Sequence, residues 1–215
     1  MKSAISILIV LFILPLLSYS QANDTKAKAI LDEVIKKSKT YESIKAEFVY
    51  RLENKTNKVT DSYTGTVTIK GDKYKLIIAG QTVIFNNNTS WTYIKSANEV
   101  QINSSDDKED AVTPTKILNG SYLTNFKPKL ISEETKDGKT LQVIDLTPNK
   151  GKSYFKVRVE IDKANKQIAS FAVYDKNGST YTYKINKFSS NVKLSDSEFV
   201  FNAKDYPGAE INDMR

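Results

Sequence analysis

The chain has no cysteine and no histidine in its 215 residues. Without cysteine there is no disulfide framework, no thiol nucleophile and no acceptor for N-terminal lipidation of a mature chain. Without either residue there is no Cys/His zinc site, no Ser-His-Asp triad and no imidazole acid–base couple. Catalysis would fall to carboxylates, lysines or tyrosines. The five prolines (Pro15, Pro114, Pro128, Pro148, Pro207) are scattered, no break in composition marks a linker, and no repeat of fixed period occurs. A membrane-crossing helix needs ~20 apolar residues, and the run from Ala4 to Leu17 falls short of that. Preceded by Lys2 and ended by Ser18-Tyr19-Ser20, it reads as a secretory signal peptide over residues 1–20, cleaved before Gln21. Residues 21–215 then form a single soluble domain, large enough to need no disulfide.

The full sequence is globular and mildly basic, with 32 Lys and Arg against 25 Asp and Glu and a formal charge of +7. Ala27, Ile30, Leu31, Val34 and Ile35 recur at helical spacing behind Asp24 as N-cap, with lysines and Glu33 on the other face, which predicts one amphipathic helix. After Tyr41 the period becomes two: Ala46, Phe48, Tyr50 and Leu52 form one face of a strand. Tyr63–Ile69, Tyr74–Ile78, Thr82–Phe85, Thr89–Ile94 and Glu99–Ile102 continue as short strands joined by tight turns. The polar stretch Ser104–Asp110 leads to Thr113 and Pro114, a cap-and-N1 signal for a short helix through Ile117 and Leu118. Five more strands follow, at 127–135, 139–147, 153–161, 166–175 and 180–188, with Asp137-Gly138 and Asn177-Gly178 as hairpin turns. The fold class is mainly β with α. About eleven antiparallel strands must curl or close, and their concave apolar face needs a helical cover. The 12 Tyr, 9 Phe and one Trp supply rigid apolar groups able to line a hollow.

Motifs for other chemistry fail on spacing. Gly151-Lys152-Ser153 resembles the end of a phosphate-binding loop, but Leu146 stands where its first glycine must be, and strands flank it. The Asp106–Asp110 cluster lacks the alternating ligands, glycine and terminal glutamate of a calcium loop, so no metal is expected. Lysines are interspersed along every strand, unlike the clustered charge and stacking faces of a nucleic-acid platform. Glu133/Glu134 and Glu160/Asp162 read as surface charges and not as a glycosidase pair.

Three segments in succession carry a resemblance. The first is a helix with Ala29-Ile30-Leu31, then a strand with Ala46-Glu47-Phe48. The second is Phe85–Tyr93 with Trp91-Thr92-Tyr93. The third is Phe199-Val200-Phe201, then Pro207-Gly208. In that order the chain resembles the periplasmic outer-membrane lipoprotein carriers, the LolA family, over nearly all of residues 21–215. The resemblance implies an unclosed antiparallel β-barrel with a helical lid over an apolar cavity for lipoprotein acyl chains. It also implies a non-enzymatic, cofactor-free, monomeric periplasmic carrier. Its partners would be acylated lipoproteins, an inner-membrane ATP-driven exporter and an outer-membrane acceptor if one is present. Carried onto these segments, the cavity falls to Phe48, Tyr50, Val67, Ile69, Tyr74, Leu76, Phe85, Trp91 and Tyr93, and the lid to Ile30, Leu31, Val34 and Ile35. The family's lid-tying arginine has no counterpart, since Lys70-Gly71 stands in its place. A small-lipid-binding or envelope-sensing module on the same fold is the alternative.

Overall fold

Alternating apolar and polar residues, reversed by short polar turns, build a meander in which nearly every strand pairs with its chain neighbour. The computed structural model describes residues 17–86, 88–104, 118 and 125–215. A helix, α1 (Leu17–Ser38), precedes six strands, β1 (Ser43–Asn54), β2 (Val59–Lys70), β3 (Lys73–Ile78), β4 (Gln81–Asn86), β5 (Thr89–Ile94) and β6 (Glu99–Ser104). A second run comprises β7 (Phe126–Lys136), β8 (Lys139–Pro148), β9 (Tyr154–Asp162), β10 (Gln167–Asp175) and β11 (Ser179–Ser190). Two short 3-10 turns and a four-residue strand, β12 (Glu210–Asp213), end the chain.

All twelve strands form one sheet in the order β12-β6-β5-β4-β3-β2-β1-β11-β10-β9-β8-β7. β1 and β11 join the two runs, with Phe48 opposite Ile185 and Tyr50 opposite Tyr183. The barrel is open, because β12 and β7 remain at opposite edges. β12 is the strand beyond the expected eleven. It pairs with β6 in parallel, and only a chain that has already crossed the sheet can supply it.

One other expectation changes. Helix α1 begins at Leu17, so Asp24 lies inside it and is not its N-cap; no Gly or Pro between Leu17 and Asp24 interrupts the helix there. Of the predicted central helix, Thr113, Pro114 and Ile117 lie outside the described residues, as does the cluster 106–110; Leu118 is helical and buried.

Turn chemistry sets the pairing where expected. Asp137 and Gly138 both have positive φ, 52° and 74°, as a two-residue hairpin turn twisted like its strands requires. Gly65 has a different reason: a Cβ there would stand 2.5 Å from Phe48 Cζ. It lies opposite Phe48 across β1 and β2, and its bare backbone lets the aromatic ring lie over it.

The concave face holds two apolar clusters. One joins Ala27, Leu31 and Val34 of α1 to Phe126, Leu130, Ile144, Leu146, Val157, Val159, Ile161 and Phe171 of β7–β10. The other joins Ile44, Ala46 and Phe48 of β1 to Val67 and Ile69 of β2 and to Leu118. On the convex face, Asp145 takes a bidentate pair from Arg158 at 2.6 and 2.9 Å. Asp162 accepts both the backbone N–H (3.0 Å) and side-chain amide (2.9 Å) of Asn165, holding the β9–β10 turn.

Burial pushes both carboxyls up, but the Arg158 and Asn165 hydrogen bonds outweigh it, and both titrate below the ordinary carboxylate range. A depressed folded value means stability that is complete above the unfolded value of about 3.9 and lost as pH falls through the folded one. Urea midpoints should therefore drop below about pH 4, and Asp162→Asn should flatten that drop, as a denaturation series across acid pH would show.

Candidate functional site

A cavity of about 290 Å³ lies on the concave face where β1, β2, β3, β10 and β11 converge. Ala46, Phe48, Val67, Leu76, Ile78, Leu118, Phe171, Val173, Tyr181, Tyr183 and Ile185 line it. No charged side chain is among them, so the phenols of Tyr181 and Tyr183 are its polar groups among the described residues. The Tyr183 ring stacks on Phe171 at 4.5 Å and meets Tyr50 at 5.0 Å and Phe48 at 6.0 Å. Such a surface suits a hydrocarbon chain.

The expected cavity residues divide into three groups. Phe48, Val67 and Leu76 line the cavity. Tyr50, Ile69 and Tyr74 belong to the apolar cluster around it without lining it, and Phe85 stacks on Tyr74 at 5.2 Å as their neighbour. Trp91 and Tyr93 are corrected outright, because they point to the convex face. The β4–β5 turn sets Phe85 opposite Ser90 and Trp91 opposite Ile84. Directly paired residues share a face and successive ones alternate, so Phe85 and Trp91 lie on opposite sides.

On that convex face the C-terminal segment crosses β4–β6. Phe201 stacks on Trp91 at 6.1 Å, Tyr206 meets Tyr93 at 4.6 Å, and Phe199 is fully buried. Asn98 donates to the Gly208 carbonyl at 2.8 Å. The aromatic motifs that carry the family resemblance therefore meet each other, away from the cavity.

The lid expectation is corrected in its placement. Helix α1 covers the concave face, but over β7–β10: Leu31 and Val34 are buried there, with Ile30 and Ile35 packed alongside. None of the four lines the cavity. Phe171 divides the two regions, facing the helix-covered cluster on one side and the cavity on the other. Polar ties hold the helix at its C-terminal end, Glu33 to Lys166 at 3.0 Å and Lys37 to the Asn165 carbonyl. Lys70 bonds elsewhere. That side chain reaches the Leu194 carbonyl at 3.3 Å and Asp196 at 3.1 Å, fastening the C-terminal segment.

Of the eight lining residues missed in sequence, Ala46 is on β1, Ile78 on β3 and Leu118 between β6 and β7, and the other five come from β10 and β11. Phe171/Val173 and Tyr181/Tyr183/Ile185 show the period of two that marks one strand face. Only the β1–β11 pairing, across some 130 residues, brings them to Phe48. The acidic pairs are structural: Glu133 accepts from Lys163 at 2.7 Å and Gln142 at 2.9 Å, and Glu160 from Ser170 at 2.7 Å.

Burial pushes the Tyr183 phenol up to about 12, with Tyr50 and Tyr181 adding to the effect. Because the folded state holds this proton more tightly than the unfolded chain, its contribution is complete below pH 10 and is lost as pH rises towards 12. An ultraviolet phenolate titration of the folded chain should show a late component that Tyr183→Phe removes.

Over residues 39–202, about three-quarters of the chain, the sequence matches the model of the outer membrane lipoprotein carrier protein LolA. The chain belongs to this family. Helix α1 and the β12 strand lie outside the matched LolA span. No curated protein sequence matches the chain. Among solved structures, an uncharacterized conserved protein from Thermus thermophilus is 13% identical with a TM-score of 0.58, covering 87% of this chain and 99% of its own. LprF from Mycobacterium bovis is 14% identical with a TM-score of 0.51, covering 80% and 97%. At such identities the likeness is one of fold. No described helix is long and apolar enough to cross a membrane.

Proposed function

We propose that the chain is a periplasmic carrier that holds the acyl chains of lipoproteins in the concave cavity. It takes them from an ATP-driven exporter in the inner membrane and yields them to an acceptor at the outer membrane. The observation that supports this most directly is a lining around about 290 Å³ that, among the described residues, is apolar apart from two phenols. Membership of the lipoprotein carrier family agrees with it. The chain is exported through the leader of residues 1–20 and works as a soluble monomer by binding, not by catalysis.

Energetics favour carriage over release. Taking about 30 Å³ for a group the size of a water molecule, the cavity holds on the order of ten methylenes. At ~0.8 kcal/mol each they contribute about 8 kcal/mol against water, near a millionfold preference. Loss to the aqueous phase is negligible, whereas exchange with a bilayer is close to neutral. Direction must come from the donor's ATP and from an acceptor that binds better.

The test is incubation of the mature chain with inner-membrane vesicles that hold the exporter and a radiolabelled acylated lipoprotein. A soluble one-to-one complex formed only with ATP supports the carrier. The same volume, with room for about ten methylenes, favours a second reading, a small-lipid binder or an envelope sensor built on it. That reading gains if a fluorescent fatty acid binds while no lipoprotein complex forms.

A further inference from the structure

Lysines that look evenly spread along the sequence are sorted by the sheet into two unlike ends. Reversals of a meander alternate between its ends, so the turns after β1, β3, β5, β8 and β10 share one rim. Those turns, residues 55–58, 79–80, 95–98, 149–153 and 176–178, contain six lysines and no Asp or Glu. Lys55, Lys58, Lys95, Lys150 and Lys176 are exposed, and none of these five forms an ion pair with a described residue.

Acids just inside the rim are largely engaged: Glu53 pairs with Arg51 at 3.0 Å, Asp175 accepts the Asn177 N–H at 2.9 Å, and Glu99 accepts from Gln101 and Asn212. Asp61, Asp205 and Glu210 remain. The opposite end differs, with Lys70 and Lys73 on Asp196, Lys139 on Asp162, Lys163 on Glu133 and Lys166 on Glu33, all within 3.6 Å.

Two further features belong to the basic rim. The cavity extends towards it, since lining residues Ile78 and Tyr181 stand next to the β3–β4 and β10–β11 turns. Phe155, 52% exposed, follows the 149–153 turn as an aromatic group of the kind that seats at a bilayer interface.

We propose that this lysine rim docks the protein on an anionic phospholipid surface, with the Tyr181 end of the cavity turned to the bilayer. The charge complementarity stands by itself; the choice of a lipid over an acidic protein rests on the acyl-binding reading of the cavity. Juxtaposed lysines add favourable free energy one by one and are screened by salt.

The experiment floats the full mature chain with vesicles of phosphatidylcholine alone or mixed with phosphatidylglycerol, at low and physiological salt. The wild type should float with the anionic vesicles only, less at higher salt. Lys55→Gln, Lys58→Gln, Lys95→Gln, Lys150→Gln and Lys176→Gln together should cut partitioning by roughly a thousandfold or more. An equal charge loss elsewhere (Lys36, Lys39, Lys136, Lys184 and Lys193 to Gln) should change it only a few-fold. Equal losses in the two variants would overturn the rim in favour of diffuse charge. Failure of the wild type to float overturns docking, and retention on immobilised polyglutamate but not on vesicles reassigns the rim to an acidic protein. Fluorescent fatty-acid binding in solution, measured in parallel, reports on the cavity reading separately, and the rim variant should keep it.

Discussion

Leu76→Glu should lower the affinity for a fluorescent fatty acid by roughly a hundredfold while leaving the fold intact. Leu76 lines the cavity but is only partly buried, so a glutamate there can keep its carboxylate hydrated in the empty protein. A hydrocarbon chain entering the cavity would strip that water with no partner in reach, since no charged side chain lines the described walls. Desolvation of this kind costs a few kcal/mol, about 1.4 for each factor of ten. Leu76→Met, similar in volume and apolarity, should bind within a few-fold of wild type. If the glutamate variant, still folded by circular dichroism, bound the probe normally, the acyl chain would have to sit elsewhere.

Phe199→Ala should cost the most stability of any single truncation in the C-terminal segment, about 3–5 kcal/mol. For a chain of this size that is roughly ten degrees of Tm. Phe199 is completely buried, in the 3-10 turn Asp196–Phe199 that Ser195 caps, and its carbonyl accepts from Asn86 at 3.2 Å. Loosening this segment uncovers Trp91, whose stacking partner Phe201 lies two residues on. Its emission should move to the red in the variant before global unfolding. Saturating the cavity with fatty acid should leave Trp91 emission unchanged in the wild type, because the indole is on the other face of the sheet. A Phe199→Ala protein as stable as wild type would mean that the segment is only loosely laid on.

The strands were legible because each carries its own pattern: Ala46/Phe48/Tyr50 alternate, and Asp137-Gly138 has the chemistry its turn demands. The cavity was legible only in part. Phe48, Val67 and Leu76 were reachable because β1, β2 and β3 are neighbours in the chain and share a face through short turns. Phe171, Tyr181 and Tyr183 were not, since no local feature tells which distant strand will lie beside β1. Trp91 and Tyr93 were misplaced by face parity: a two-residue turn puts an odd-numbered residue opposite an even-numbered one, and one miscounted step exchanges core for exterior.

By itself the sequence determined an antiparallel, mostly β chain with one amphipathic helix, without thiol or imidazole chemistry, and with motifs in an order that leads to its family. These follow from local periodicity, turn residues and composition, which act over a few residues. Only the tertiary structure decided which apolar faces enclose the hollow, that the helix covers the β7–β10 half beside it, and that Lys70 holds the C-terminal segment. It also decided that six scattered lysines stand on one rim. Those outcomes depend on the pairing of β1 with β11 and on β12 returning to β6, contacts between residues more than a hundred positions apart. Their entropy of closure is repaid by buried area that no local stretch contains.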